Sequence, residues 1–483
     1  MNISATRRVD FAAQSAEPAT QGQTRWSVPL LHPVPHPSFT SALARTILAG
    51  EMNADAIVLR CRELTGRRWL WLRPLANRYL TMLGDQARPR HRQVVAFLRK
   101  DEHFQDVLRR YSSELRIETC LHAPYRMRPV RAASAWNLPA IETVGELAHW
   151  FRLTPSELEW FADLKYLAAS GKSRFGHYHY RLLAKKSGSI RLIESPKDHL
   201  KLLQRQILTE ILYSIPVHDA VHGFVPGRSI RTFVAPHVGK PMVLRMDLQD
   251  FFPSISRARV QAAFRTAGYP EHVADLLGGI CSTSAPVCIW SEQQSNVAPE
   301  SLSAARALYR QPHLPQGAPT SPALANLCAY RVDCRLQGLA RAANAKYTRY
   351  ADDLAFSGDG NFASQSERFA THVAAILLEE GFSVHHRKTR IMRQGVRQHL
   401  AGLVTNQRIN VVRDDFDLLK AILHNCIKHG PARQNRNSHP SFRAHLAGRV
   451  GFVESINPVK GKRLRAIFER ISWGNEPAPD EQR

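Results

Sequence analysis

Three aspartates have the type and spacing to do chemistry. Asp247 closes the apolar run Val243-Leu-Arg-Met-Asp247, and Asp352 and Asp353 interrupt the stretch Tyr347–Phe356 roughly 100 residues later. Fixed carboxylates bind Mg²⁺ because that ion takes hard oxygen ligands in octahedral geometry. Two such ions about 3.5–4 Å apart can activate an attacking hydroxyl and neutralise a leaving pyrophosphate, which is what nucleotidyl transfer requires. An Asp-Asp pair at a turn is ordinarily turn chemistry. Here apolar strand residues flank the pair on both sides and a second acid-bearing strand precedes it, which favours metal binding. Asp353 points the other way from Asp352 along an extended backbone, giving it a secondary ligand or structural role.

The elements that must position these acids are legible around them. Val243–Asp247 reads as a short buried strand ending on an acid, and 347–356 as two strands joined by a tight turn. From about 175 to 410 strands alternate with helices. Tyr180–Ile193 reads as a β-hairpin with its turn at Gly188. A helix over 198–213 follows, with Leu200, Leu203, Ile207, Leu208 and Ile211 as its stripe. Residues 281–313 are polar and irregular, which predicts a surface loop. Upstream, Thr143 with Glu146 and Thr154 with Glu157 form capping boxes that start two short helices, the second with Pro155 in its first turn. Residues 1–40 read as a loose leader, 41–120 as helical and 121–140 as a basic linker. Beyond 410, Leu418, Leu419, Ile422, Leu423 and Cys426 form a helical stripe ended by Gly430-Pro431, and helices fit 441–456 and 459–473. The expected class is α+β.

A chain of 483 residues should divide into two to four compact units. Its 66 Lys and Arg against 41 Asp and Glu give a formal charge of +25, which points to a polyphosphate partner. None of the seven cysteines forms a C-x-x-C or stands near paired histidines, so neither a zinc site nor a disulfide framework is expected. Cys328 and Cys334 read as reduced core residues. Residues 1–25 lack an apolar stretch and no run of about 18 apolar residues occurs, so a signal peptide, a membrane span and a membrane partner are not expected. A cytoplasmic location follows as an expectation.

Tyr350-Ala351-Asp352-Asp353 resembles the signature turn of reverse transcriptases, and Met246–Ile255 resembles their first catalytic motif. Leu314–Pro322 lies between them and resembles the family's template and nucleotide-binding segment. With three motifs in order, the chain is identified as a member of that family, most similar to its bacterial retron branch. His222-Gly223-Phe224 with Gly227-Arg228-Ser229-Ile230 resembles a retron-type segment. Two motifs depart from the branch: Val234-Ala235-Pro236-His237 stands for Asn-Ala-x-x-His, and Leu400-Ala401-Gly402 for Val-Thr-Gly.

The resemblance covers about 140–473 and implies a right-hand polymerase, with fingers and palm over 141–410 and a small helical thumb over 411–475; the helical N-terminal extension over 41–140 precedes it with a role the resemblance leaves unexplained. It implies that Asp247, Asp352 and Asp353 are catalytic and hold two Mg²⁺ ions, with Mn²⁺ as a substitute. Phe252 matches the steric gate that excludes a ribose 2′-hydroxyl; a core phenylalanine is the competing reading. Gln316 and Gly317 would line the nucleotide site, and Lys185 (or Lys186) and Arg191 would contact the triphosphate. Lys388 would protonate or contact the leaving pyrophosphate, and Leu400 and Gly402 would belong to the primer grip. The implied partners are an RNA template, a DNA product, deoxynucleotides, a cognate structured noncoding RNA that primes from a 2′-hydroxyl, and an accessory effector in antiphage defence. Alternatives are another bacterial reverse transcriptase of defence or intron origin, an RNA polymerase, or a noncatalytic RNA-binding relic. The relic predicts a lost metal carboxylate, yet all three are present. With so short a stretch after 402, a maturase, endonuclease or RNase H domain is not expected.

Overall fold

A computed structural model describes residues 36–49, 52–83, 89–119, 126–167, 176–185, 189–290 and 298–473. The chain divides into two compact units, Met1–Tyr125 and Arg126–Arg483.

The first unit is helical: α1 (His36–Leu48), α2 (Ala54–Thr65), α3 (Leu72–Leu83), α4 (His91–Lys100) and α5 (Glu102–Arg110). Phe39, Leu43, Ile47, Ile57, Leu64, Tyr79, Val94 and Phe104 fill its core. Helix starts are set locally, with the Asn53 carboxamide accepting from Ala56 N–H and the Asp101 carboxylate from Phe104 N–H. The leader expected over 1–40 lies outside the described residues up to 35. Residues 36–40 instead open α1, because Phe39 and Thr40 are buried.

The second unit opens with a stretch expected to be linker. Residues 126–140 instead pack on it: Arg128 N–H donates to Gly268 O (2.8 Å) and the Tyr269 hydroxyl to Pro139 O (3.2 Å). Then come α6 (Val144–Phe151) and α7 (Pro155–Ala162), each with the expected capping box, followed by the hairpin β1 (Tyr178–Ala184) and β2 (Ile190–Pro196). Lys186 and Gly188 of the hairpin turn lie outside the described residues. Next are α8 (Asp198–Gln206), α9 (Ile230–Val234), β3 (Met242–Gln249), α10 (Arg257–Ala267), α11 (Glu271–Ile280) and α12 (Pro299–Arg310). The helix expected over 198–213 holds α geometry only to Gln206 and widens into a π turn over Ile207–Ile211.

The described residues of 281–313 do not form the surface loop expected there. Leu302, Ala305 and Tyr309 recur at helical spacing in α12 and pack with Trp290 against Ile190 and Leu192 of the hairpin. The chain continues with α13 (Ser321–Cys328), α14 (Tyr330–Ala342), β4 (Lys346–Tyr350), β5 (Asp353–Gly358), α15 (Gly360–Glu379), β6 (Ser383–Val384), β7 (Arg390–Arg393), β8 (His399–Leu400), β9 (Leu403–Val404) and β10 (Asn410–Val411). It ends with α16 (Arg413–His429), α17 (Phe442–Ile456) and α18 (Pro458–Phe468). Cys334, expected in the core, is exposed on α14.

The central sheet is antiparallel in the order β4-β5-β3, with β7 and then β6 pairing successive parts of β3's other edge. Side chains alternate faces along a strand. Met242, Leu244, Met246 and Leu248 therefore join the large core with α10, α11, α14 and α15, while Val243 joins the core of α16–α18. Arg245 and Asp247 continue the Val243 face. Among the described residues no helix is long and apolar enough to cross a membrane.

Candidate active site

Register brings the acids together. Asp247 of β3 lies opposite Asp353 of β5, and Leu248 N–H donates to Asp352 O (2.9 Å). Tyr350 pairs with Asp353, so Ala351 and Asp352 form a two-residue turn. Ala351 carries a positive φ of 53°, the kind of backbone a tight hairpin turn demands. Asp247 and Asp352 line one cavity of about 250 Å³ together with Lys185, Arg191, Phe252, Gln316 and Lys388. Seven of the residues singled out from sequence thus share one concavity.

The surroundings disfavour the charged form of two of these acids, Asp352 and Asp353. Burial pushes the Asp352 carboxyl above its usual value, and the charges of Asp247 and Asp353 push it further. Burial also raises Asp353, against the opposing effect of Arg245. The Arg245 guanidinium donates twice to Asp353 Oδ1 (2.9 and 2.7 Å), so that carboxylate is already engaged and does not line the cavity. Lys388 sits on the short turn His386–Lys388, and its Nζ donates to both Asp247 oxygens (2.8 and 3.0 Å).

Among the described residues no three His, Cys, Asp or Glu side chains gather closely enough to hold an ion by themselves. Mg²⁺ does not demand such a cage, since it is commonly held by one or two carboxylates, waters and substrate phosphates. Two carboxylates whose mutual repulsion a dication would relieve, one already attracting an ammonium group, fit that binding mode.

The surrounding residues are placed by the same logic. Lys185 Nζ contacts Asp250 Oδ1 (3.2 Å), and Gln316 O accepts from Glu194 N–H (2.9 Å), which ties the Gln316 segment to β2. Gly317 has φ 138°, and a Cβ there would stand 2.9 Å from Glu194 O. Glu194 is itself fully buried and bonded to His313 Nε2 (2.9 Å). Burial would strip the proton from His313, but the charge and hydrogen bond of Glu194 outweigh it and hold the imidazole above its ordinary value. Phe252 is half-buried beside Phe224, with ring centroids 6.3 Å apart. Leu400 and Gly402 do not reach this cavity: Leu400 is buried in the core of α16–α18, and Gly402 turns the β8–β9 hairpin with φ 83°.

Several residues that position the site had no role assigned to them from the sequence. Arg349, fully buried, makes a two-point ion pair with Asp333 (2.8 and 2.7 Å) and donates to Ala351 O (3.1 Å) and Asn326 Oδ1 (3.1 Å). Asn326 in turn donates to Gly223 O (2.9 Å). A Cβ on Gly223 would stand 2.6 Å from Ala351 N, so only glycine lets this segment seat against the turn. Phe224, His385 and Tyr309 also line the cavity. The one local signal was Arg349 itself, a charge inside a strand whose neighbours are buried.

The model of "Reverse transcriptase (RNA-dependent DNA polymerase)" matches residues 183–417, which contain every cavity residue named above. The chain is 41% identical over 297 residues to the retron Mx65 reverse transcriptase of Myxococcus xanthus, covering 61% of this chain and 64% of that protein. It is 34% identical over 384 residues to the retron Mx162 reverse transcriptase of the same organism, covering 77% and 75%. The retron Ec86 reverse transcriptase of Escherichia coli is 28% identical over 293 residues, covering 60% and 79%. This chain belongs to the retron-type reverse transcriptases, a family of RNA-directed DNA polymerases.

Proposed function

We propose that this chain copies a structured noncoding RNA into DNA, adding deoxynucleotides to a primer 3′ end or to an RNA 2′-hydroxyl. The observation that carries the reading is the convergence of Asp247 and Asp352, distant in sequence, in one cavity with Lys388, Arg191 and Phe252. The five-stranded sheet then serves as palm, the β1–β2 hairpin belongs to the fingers, and α16–α18 form the thumb. Support for the RNA partner comes from relatives that are themselves retron reverse transcriptases.

Asp247 and Asp352 would hold the divalent cations, with Asp353 as a supporting charge fixed by Arg245. Bound there, the cations supply a more acidic attacking hydroxyl and neutralise charge on the leaving pyrophosphate. The protein's own residues do the rest. Arg191 and Lys185 hold the triphosphate, Arg through its planar fork. Phe252 closes the space that a ribose 2′-hydroxyl would need. Lys388 carries protons at the acid cluster and can donate one to pyrophosphate oxygen as it departs. Leu400 and Gly402, on the β8–β9 hairpin, support the primer strand rather than the nucleotide.

Primer extension on an annealed RNA template, with deoxynucleotides or ribonucleotides supplied separately, tests the reading. Extension with deoxynucleotides and little with ribonucleotides is expected. Equal use of both would assign an RNA polymerase, and no extension with either would assign a noncatalytic binder.

A further inference from the structure

The first unit lies outside the segment matched by the family model and carries its own groove. Its walls are the connection between α2 and α3, Arg67-Arg68-Trp69-Leu70-Trp71, and the end of α5 with Arg109, Arg110 and Tyr111. With Arg78 and His103 they enclose about 1110 Å³. Five arginines line this space against a single acid, Asp106.

Some of that charge is already matched: Arg78 pairs with Asp101, Arg67 with Glu114, and Arg109 with Asp106. Arg68 and Arg110 are exposed and have no acidic partner among the described residues. Between the cations lie aromatic rings. Trp69 meets Tyr111 edge-on at 5.1 Å and Trp71 at 6.3 Å, and the Arg67 guanidinium stands 4.6 Å over the Trp69 ring. The indole N–H groups of Trp69 and Trp71 are buried without an acceptor. Leu70, at the lip, is 92% exposed.

Cations that track a backbone, interleaved with rings on which bases stack, are what single-stranded nucleic acid requires. A paired duplex presents its phosphates but keeps its base faces covered, so it could use only the arginines. A membrane surface would call for a protruding apolar face with basic flanks. Here Trp69 is buried in the helical core, so Trp71 and Tyr111, half-buried at the groove, are the rings left to meet a base, and Leu70 protrudes at the lip. We infer that this groove binds an unpaired polynucleotide strand, giving the chain a strand-binding site besides the cavity at Asp247. The inference goes beyond the polymerase reading and does not depend on catalysis.

The full-length protein with Arg68→Ala and Arg110→Ala tests it, since both side chains are exposed and the fold does not rest on them. Anisotropy of a labelled 12-nucleotide unpaired strand is measured across a salt series, in RNA and DNA versions. For the strand that uses the groove, affinity should fall about 10-fold, and the slope of log K against log salt should shrink by about 1.4, two phosphate contacts at ~0.7 each. Extension of a short, fully annealed primer–template should continue at the wild-type rate. Ultraviolet cross-linking should attach the strand to peptides spanning 67–71 or 103–111. A loss confined to RNA assigns the template strand, and one confined to DNA assigns the product; either supports the groove. Unchanged affinity and slope for both strands, or absent cross-links, would overturn it. So would a loss seen only with vesicles of anionic lipid. Failure of primer extension in the wild-type protein would bear on the polymerase reading alone.

Discussion

Phe252 has two readings, a gate for the sugar and a packing residue of the core. It lines the cavity beside Asp247 yet also touches the main core, so its two readings separate by experiment. Phe252→Ala should cut the ratio of kcat/KM for deoxynucleotide over ribonucleotide by ~10- to 100-fold, the range steric discrimination commonly spans. A preserved ratio with lowered stability would assign a packing role. A second residue-scale prediction concerns His237, whose ring nitrogens bond Ser357 Oγ and Thr348 Oγ1 at 2.7 Å each. Burial, with help from the charges of His222 and Lys240, lowers this imidazole to about 3. The unfolded chain protonates the same ring near pH 6.5. Between those values acid favours the unfolded state, so stability present at neutral pH is lost as pH falls from 6.5 toward 3. From pH 6.5 to 5 the loss is about 2 kcal/mol. Urea midpoints at pH 7 and 5 should show it, and His237→Gln should reduce the difference, the remainder coming from His222, which burial lowers to about 4. His313 acts in the opposite sense, since Glu194 holds its proton on.

The turn between β4 and β5 depends on what lies behind it. Gly223 abuts Ala351 N, and Arg349 grips Ala351 O from beneath. Gly223→Ala should therefore slow primer extension at least 10-fold while costing about 1–3 kcal/mol of stability, the usual penalty of overpacking. A variant with wild-type extension would show that the turn can shift without harm to the site. These supports explain what was readable beforehand. The strands β3, β4 and β5 and the capped helices α6 and α7 announce themselves through apolar runs and local capping, signals carried by neighbouring residues. The pairing of Asp333 with Arg349, or of Arg245 with Asp353, joins residues 16 or 108 apart, and no periodicity encodes it. Helix α12 was missed because the polar Gln-Gln-Ser-Asn run before it hides the Leu302, Ala305 and Tyr309 stripe. The acids were legible as a motif, whereas the engagement of Asp353 by Arg245 needed coordinates.

At the scale of the whole molecule, a formal charge of +25 coexists with a small acidic centre. The excess cations can gather a polyanion, while the acidic centre is small and already partly matched by Lys388 and Arg245. Binding and chemistry should thus be separable. On the proposed reading two carboxylates, on β3 and on the β4–β5 turn, act as one unit. Single-turnover primer extension by Asp247→Asn, Asp352→Asn and Asp353→Asn, with RNA affinity measured in parallel, tests this most directly. The account predicts losses of ~10³-fold or more for the first two, comparable to removing a key electrostatic group, and RNA affinity within about twofold of wild type for both. Asp353→Asn should lose less, because Arg245 already occupies its carboxylate. Near wild-type extension by Asp247→Asn or Asp352→Asn would contradict it.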